Sequence, residues 1–290
     1  MSNPEWFEKT IGFQAESRSV RVGDANINYL IWGNDPKPFL FFIHGYCAHA
    51  HWWDFIAPHF LDSFNVIAID LSGMGDSGHR SVYSQDLYSD EIQAVCSQEE
   101  VKSAIFLAHS MGGSIAVNAA ARYPDLFESL ILIDSIVVVP PDKIKDFSSR
   151  KSTWRQDFFY DSLDDAIKSF RLIPPQPCKN DFLIQHIANF SFREKDNTWK
   201  LKSDGKIMKT YDSQDLTQGF MDLKCPIYLV YGLMSQIFSQ ELLDYTVYVG
   251  NIPQEKIIGI PGAMHHVFID EPILFIEAVK KLINGGETSD

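Results

Sequence analysis

Six stretches of this chain have continuous apolar cores: 38-PFLFFIH-44, 64-FNVIAID-70, 103-SAIFLAH-109, 129-SLILID-134, 226-PIYLVYG-232 and 255-EKIIGI-260. A strand with one wet face alternates polar and apolar residues, whereas a strand covered on both faces does not need to. Helix-like patterns near 51–60, 84–98, 111–123, 237–248 and 272–284 fall between these runs. The alternation predicts an α/β fold with a mostly parallel, doubly wound sheet. Upstream, SVRV and ANINYLIW flank Gly23-Asp24 and alternate, which predicts an antiparallel hairpin at the N-terminal edge.

The rhythm breaks between about 137 and 222. No strand run appears there, and aromatic residues (Trp154, Phe158, Phe159, Tyr160, then 166–170 and 182–190) follow helical spacing. Pro140-Pro141 opens the region, Pro174-Pro175 interrupts it, and the strand pattern restarts at Cys225-Pro226. The expected organisation is a core from 1–136, an inserted helical cap from 137–222, and the rest of the core from 223–290. Long insertions at loops cost little closure entropy and often carry function.

A net charge of −13 argues against a nucleic-acid backbone as partner. No run of 18 apolar residues is present, so no membrane span is expected. The start, MSNPEWFEKT, carries acids and a proline where a secretory signal needs basic and then apolar residues. Four scattered cysteines without a CxxC pair point to reduced thiols and a cytoplasmic location. The expected partner is a small-molecule substrate, bound by a monomer or homodimer.

Ligands of open parallel sheets bind beyond the carboxyl ends of the strands. The residues immediately after the apolar runs are His44-Gly45-Tyr46, Asp70, Ser110, Asp134 and, after IIGIPGAM, His265. Ala108-His109-Ser110-Met111-Gly112 has the small-x-Ser-x-small form of a sharp strand-to-helix turn. Such a turn presents the serine hydroxyl and leaves the next amide, at Met111, pointing at developing negative charge. Gly45 lets the first loop approach, so that the Tyr46 amide becomes the second oxyanion donor. A plain N-cap is the bland alternative for Ser110.

A serine hydroxyl needs a base. His265 is favoured by its late position and its spacing to Pro272, with His266 as competitor. His109 is expected to pack behind the sheet. His49 and His51 are read as loop residues, because no further ligand stands at metal spacing.

Together, HGY (44–46), DLSGMGDSG (70–78), AHSMGG (108–113), LILIDS (130–135) and IPGAMHHVFIDEP (260–272) resemble the α/β-hydrolase superfamily. The resemblance implies a serine-acid-histidine triad, no cofactor and acyl-transfer chemistry, and it covers nearly the whole chain except the cap. Many members carry the acid three residues after the glycine that ends the strand following the cap. Here that glycine is Gly232 and the third residue on is Ser235, which cannot hold an imidazolium as a carboxylate does. Some members place the acid at the end of the preceding strand, which implies Asp134. Haloalkane dehalogenases and epoxide hydrolases of this architecture attack with an aspartate, so Ser110 argues against both.

The implied function is hydrolysis of carboxylic esters of small apolar or aromatic molecules through an acyl-enzyme. A carbon–carbon or lactone hydrolase, and a slow ligand-sensing protein, are the alternatives. His44, Trp154, Phe158 and Phe159 are the expected substrate-pocket residues.

Overall fold

The computed structural model describes residues 3–144 and 158–285. The first part of the chain forms α1 (Glu5–Ile11), β1 (Glu16–Val22), β2 (Ala25–Trp32), β3 (Phe39–Ile43), β4 (Asn65–Ile69), β5 (Tyr83–Ser84), α2 (Gln85–Gln98), β6 (Ala104–His109), α3 (Met111–Arg122) and β7 (Phe127–Ile133). There follow β8 (Phe159–Tyr160), α4 (Leu163–Ser169), α5 (Asp181–Ser191), β9 (Phe192–Lys195), β10 (Thr198–Leu201), α6 (Ile207–Thr210), β11 (Tyr211–Asp212) and α7 (Thr217–Met221). The chain closes with β12 (Ile227–Gly232), α8 (Gln240–Gly250), β13 (Ile257–Ile260), α9 (Val267–Asp270) and α10 (Pro272–Ile283).

Eight strands make one sheet in the order β1-β2-β4-β3-β6-β7-β12-β13. The β1–β2 hairpin is antiparallel and joins β4 antiparallel, while every pair from β4 to β13 is parallel. All six apolar runs are strands, and their continuity has the expected cause. Along β3, Phe41 and Ile43 enter the cluster built with α2 and α3, while Leu40 and Phe42 enter the opposite one with α1 and α10. Both faces are dry, so no position along such a strand can be polar without cost.

Two expectations need correction. The predicted helix over 51–60 is two single 3₁₀ turns, Ala50–Trp53 and Ala57–Phe60, with Pro58 in the second. The region 137–222 also contains strands, because β8, β10 and β9 form a three-stranded antiparallel sheet. Its β9–β10 turn is Asp196-Asn197, both at positive φ (53° and 59°), as a two-residue hairpin turn requires. The apolar residues of α4 and α5, among them Ala166, Leu183 and Ile187, pack into the same cluster as Trp52, Trp53 and Phe268. All four cysteines are free thiols. No helix among the described residues is long and apolar enough to cross a membrane.

The glycine-rich loop after β4 is pinned by a buried ion pair. Arg80 donates to Glu91 Oε1 through Nε and a terminal nitrogen, both at 3.0 Å, and to the Val22 carbonyl at 2.9 Å. Glu91 also accepts from the Ser72 amide at 2.9 Å. Replacing Arg80 with methionine leaves a buried carboxylate without its cation, which costs about 3–5 kcal/mol. Urea denaturation of Arg80→Met should show this loss, and an unchanged midpoint would refute the assignment.

Candidate active site

Between β6 and α3 there is a single residue, Ser110, with φ 54° and ψ −122°. That conformation costs a non-glycine residue about 1–3 kcal/mol and persists only where the surroundings enforce it. Here they do: the Ser110 amide donates to the Ile133 carbonyl at 3.1 Å, and its own carbonyl accepts from Gly113 at 2.9 Å. Although Ser110 occupies the N-cap position of α3, its side chain makes no cap bond, so the bland reading fails.

The small neighbours have a steric cause. A Cβ on Gly112 would lie 2.6 Å from the His44 carbonyl oxygen, and one on Gly113 would lie 2.4 Å from the Ser135 side chain. A Cβ on Gly45 would lie 3.0 Å from that of Ser110. The loop after β3 is thus pressed against the serine, and Tyr46 is its next residue. Met111 is the first residue of α3, where an amide has no acceptor within the helix.

Ser110 Oγ stands 3.0 Å from His265 Nε2, and His265 Nδ1 stands 2.8 Å from Asp134 Oδ1. A carboxylate only accepts, so the imidazole proton lies on Nδ1 and the Nε2 lone pair faces the serine hydroxyl. Asp134 is fixed by two further donors, the Gly232 amide to Oδ2 at 3.0 Å and the Ser235 hydroxyl to Oδ1 at 2.7 Å. Ser235 Oγ itself receives the amides of Ile237 and Phe238, so its one proton is directed at Asp134. Sheet register explains the convergence. His109 pairs with Ile133 and Ile133 with Val230, so the residues after β6 and β7 emerge side by side.

His266 is turned away from the serine. Its Nδ1 donates to Gln176 Oε1 at 2.9 Å, its ring lies against Trp52 at 5.5 Å, and burial holds its pKa well below the usual histidine value. His109 is buried beside His265, not behind the sheet, and its Nε2–H donates to the His265 carbonyl at 3.0 Å. Burial, with His265 and His266 alongside, keeps it neutral.

The expected pocket residues fare differently. His44 is 1% exposed, and its ring is spent on the Leu71 amide and the Gly45 carbonyl, so it supports the loop and offers no surface to a ligand. Phe158 and Phe159 are 56% and 60% exposed at the start of β8, so neither is enclosed in a pocket. Trp154 lies outside the described residues.

His49 is buried against Ser191 of α5, and His51 and His186 share Asp54 at 2.9 and 2.8 Å. No group of three or more metal-ligating side chains among the described residues is placed to hold an ion. Three contributors were not legible in the sequence: Gln176, Asp270 and the carbonyl contact of His109. The first two meet across 94 positions, and no local pattern announces such a pair.

A family profile described as alpha/beta hydrolase fold matches residues 38–272. The chain is 26% identical to the pimeloyl-[acyl-carrier protein] methyl ester esterase of Wigglesworthia glossinidia brevipalpis, over 84% of this chain and 93% of that one. It is 25% identical to epoxide hydrolase 1 of Caenorhabditis elegans, over 93% of this chain and 70% of that one. The solved structure of E-2-(acetamidomethylene)succinate hydrolase superposes with a TM-score of 0.77 at 23% identity, covering 93% of this chain and 100% of that one; this likeness shows the fold.

The crowding at Gly112 generates a test. Its virtual Cβ meets backbone oxygens of Ile43 and His44, which cannot swing aside. Gly112→Ala should therefore lose about 1–3 kcal/mol in chemical denaturation, the usual cost of overpacking. A variant as stable as the parent would show that α3 can retreat from β3.

Proposed function

The chain belongs to the α/β-hydrolase family, and from that membership we propose that it is a serine hydrolase cleaving carboxylic esters of small apolar or aromatic molecules. Its curated relatives include esterases and other hydrolases, which supports hydrolase activity in general. The observation that carries the finer reading is the hydrogen-bonded series Ser110 Oγ, His265, Asp134 at 3.0 and 2.8 Å, starting from a strained serine.

In this reading Ser110 Oγ attacks the ester carbonyl carbon as its proton passes to His265 Nε2. Asp134 holds the Nδ1 tautomer and stabilises the imidazolium without itself taking the proton. The carbonyl oxygen becomes an oxyanion that accepts from the Met111 and Tyr46 amides, worth about 3–4 kcal/mol per donor. The tetrahedral intermediate collapses by breaking the carbon–oxygen bond to the alcohol, which leaves with the proton from His265. Water, deprotonated by His265, then attacks acyl-Ser110 and releases the acid.

In this reading the described part of the insert, residues 158–222, acts as the cap, with Gln176 bonded to His266 next to the base. Half-buried Tyr46 and Met111 supply apolar surroundings that favour an uncharged substrate. The named activity of the methyl ester esterase supports an ester over other acyl compounds. Serine at 110 counts against epoxide chemistry, which needs a carboxylate nucleophile in this architecture. Ligand sensing with slow turnover would keep the same Ser110–His265–Asp134 series, so the rate of ester turnover is what separates it from the esterase reading.

A fluorophosphonate probe should label Ser110, identified by mass spectrometry of its peptide. Ser110→Ala and His265→Ala should each abolish nearly all ester turnover, and the double variant should be no worse than either. Folded protein that takes no label would refute the proposal. Asp134→Asn should lower kcat by about 10⁴ by favouring the wrong tautomer. Ser235→Ala, which removes one hydrogen bond to a charged acceptor, should cost about tenfold in kcat/KM. Near-normal turnover by Asp134→Asn would move the acid elsewhere.

A further inference from the structure

The loop that carries His265, between β13 and α9, has no regular structure of its own and passes through Gly262 at φ 76°. Its hold on the base must come from outside the loop. The amide immediately before His265, that of Met264, donates to Asp270 Oδ2 at 2.7 Å. The amide immediately after it, that of His266, donates to Gln176 Oε1 at 3.1 Å.

Asp270 and Gln176 are in turn bonded to each other, with the Gln176 amide nitrogen 2.9 Å from both carboxylate oxygens. Gln176 Oε1 also takes the His266 Nδ1–H at 2.9 Å. Four residues on, Asn180 donates to the carbonyls of Ile269 and Asp270 at 2.7 and 3.0 Å. Both peptide N–H groups flanking the base therefore end on one two-residue unit, and half of that unit comes from the insert between β7 and β12.

We propose that Gln176 is a positioning residue for His265, locking the base loop to the insert so that the imidazole keeps its reach to Ser110. This rests on the assignment of His265 as the base. The orientation of the side chain is not ambiguous: its amide nitrogen faces a carboxylate, which can only accept, and its oxygen faces an N–H, which can only donate. Without Gln176, the His266 amide loses its acceptor and Asp270 loses a donor on each oxygen. Asp270 is buried, and burial raises its pKa, an effect offset by the Met264 and Gln176 hydrogen bonds. Loosening one half of the unit therefore loosens the other. Displacement of a catalytic group by as little as about 1 Å costs on the order of a hundredfold in rate.

The test uses the full chain and an ester substrate. Gln176→Ala should lower kcat and the fluorophosphonate labelling rate of Ser110 together, on the order of tenfold or more. KM should stay within about twofold and the folded fraction unchanged, because both polar ends of Gln176 are committed to Asp270 and His266. Gln176→Glu keeps the shape and supplies a second readout. Protonated, the new side chain can still donate to Asp270 and accept from His266. Ionised, it repels Asp270.

The charged and titratable groups around Gln176 are Asp270, His266, the Cys178 thiol and the Lys179–Glu271 ion pair. Repulsion from Asp270 raises the pKa of the introduced carboxyl, so the ratio of Gln176→Glu to parent kcat should fall as pH rises through that value. Wild-type kcat in Gln176→Ala, a loss that merely tracks unfolded protein, or a Gln176→Glu ratio that is flat with pH would overturn the proposal. Ser110→Ala, assayed alongside, separates this outcome from failure of the serine mechanism, since only the latter would leave Ser110→Ala active.

Discussion

The constraint on which the site depends is the distance between a helix and two strand ends. α3 starts so close to β3 and β7 that no side chain fits at Gly112 or Gly113, where a Cβ would lie within 2.6 Å of its neighbours. With the helix that close, the one residue left to turn the chain has no ordinary backbone conformation available, and Ser110 takes φ 54°. The strain is held by the sheet's last ladder bond on one side and the first turn of α3 on the other. A hydroxyl projecting from such a turn cannot relax into an N-cap, so it is presented outward to His265.

From that point the sheet places the remaining groups. Parallel strands in register deliver their carboxyl-terminal residues to one edge, and the two strands beside each other in this part of the sheet are β6 and β7. Ser110 and Asp134 are each one residue beyond those strands, and Asp134 also has positive φ, 43°. The imidazole bridges them from a loop that arrives beside β12, so close that a Cβ on Gly232 would lie 2.2 Å from the Met264 carbonyl. Three loops with little internal structure thus meet because the strands beneath them are rigid and aligned.

This explains what could be read from the sequence and what could not. Dry strands announce themselves, since a polar residue on either face is costly, and PFLFFIH or SLILID admits few other readings. The elbow is legible for the same reason: close approach forbids large residues at fixed offsets. The strands β8 to β10 were missed because they are half-wet and short, and FREK and TWKL carry no apolar run. Their one signal was Asp196-Asn197, a pair able to adopt two positive φ values in succession. The aromatics of 158–159 misled because aromatic composition says nothing about which way a ring points; both rings are exposed. His44 misled because a residue can follow a catalytic strand and still be consumed by holding its own loop.

The acid shows the general point most sharply. A carboxylate beside an imidazole is a demand of the chemistry, but the chain position that meets it is a matter of which strand end lies within reach. β7 and β12 are neighbours, with Ile133 opposite Val230, so the residues that follow them come together beside His265. Here β7 supplies the carboxylate and the turn after β12 supplies a hydroxyl that donates to it. Ser235 cannot replace Asp134, but it does what a neighbouring donor does for any buried anion, satisfying a lone pair that would otherwise be left in an apolar interior. The two positions are therefore complementary, and a carboxylate at both would bring two like charges into one hydrogen-bonded site and force one to hold its proton. The serine at 235 instead donates a hydrogen bond to Asp134, where an ionised carboxylate could only accept.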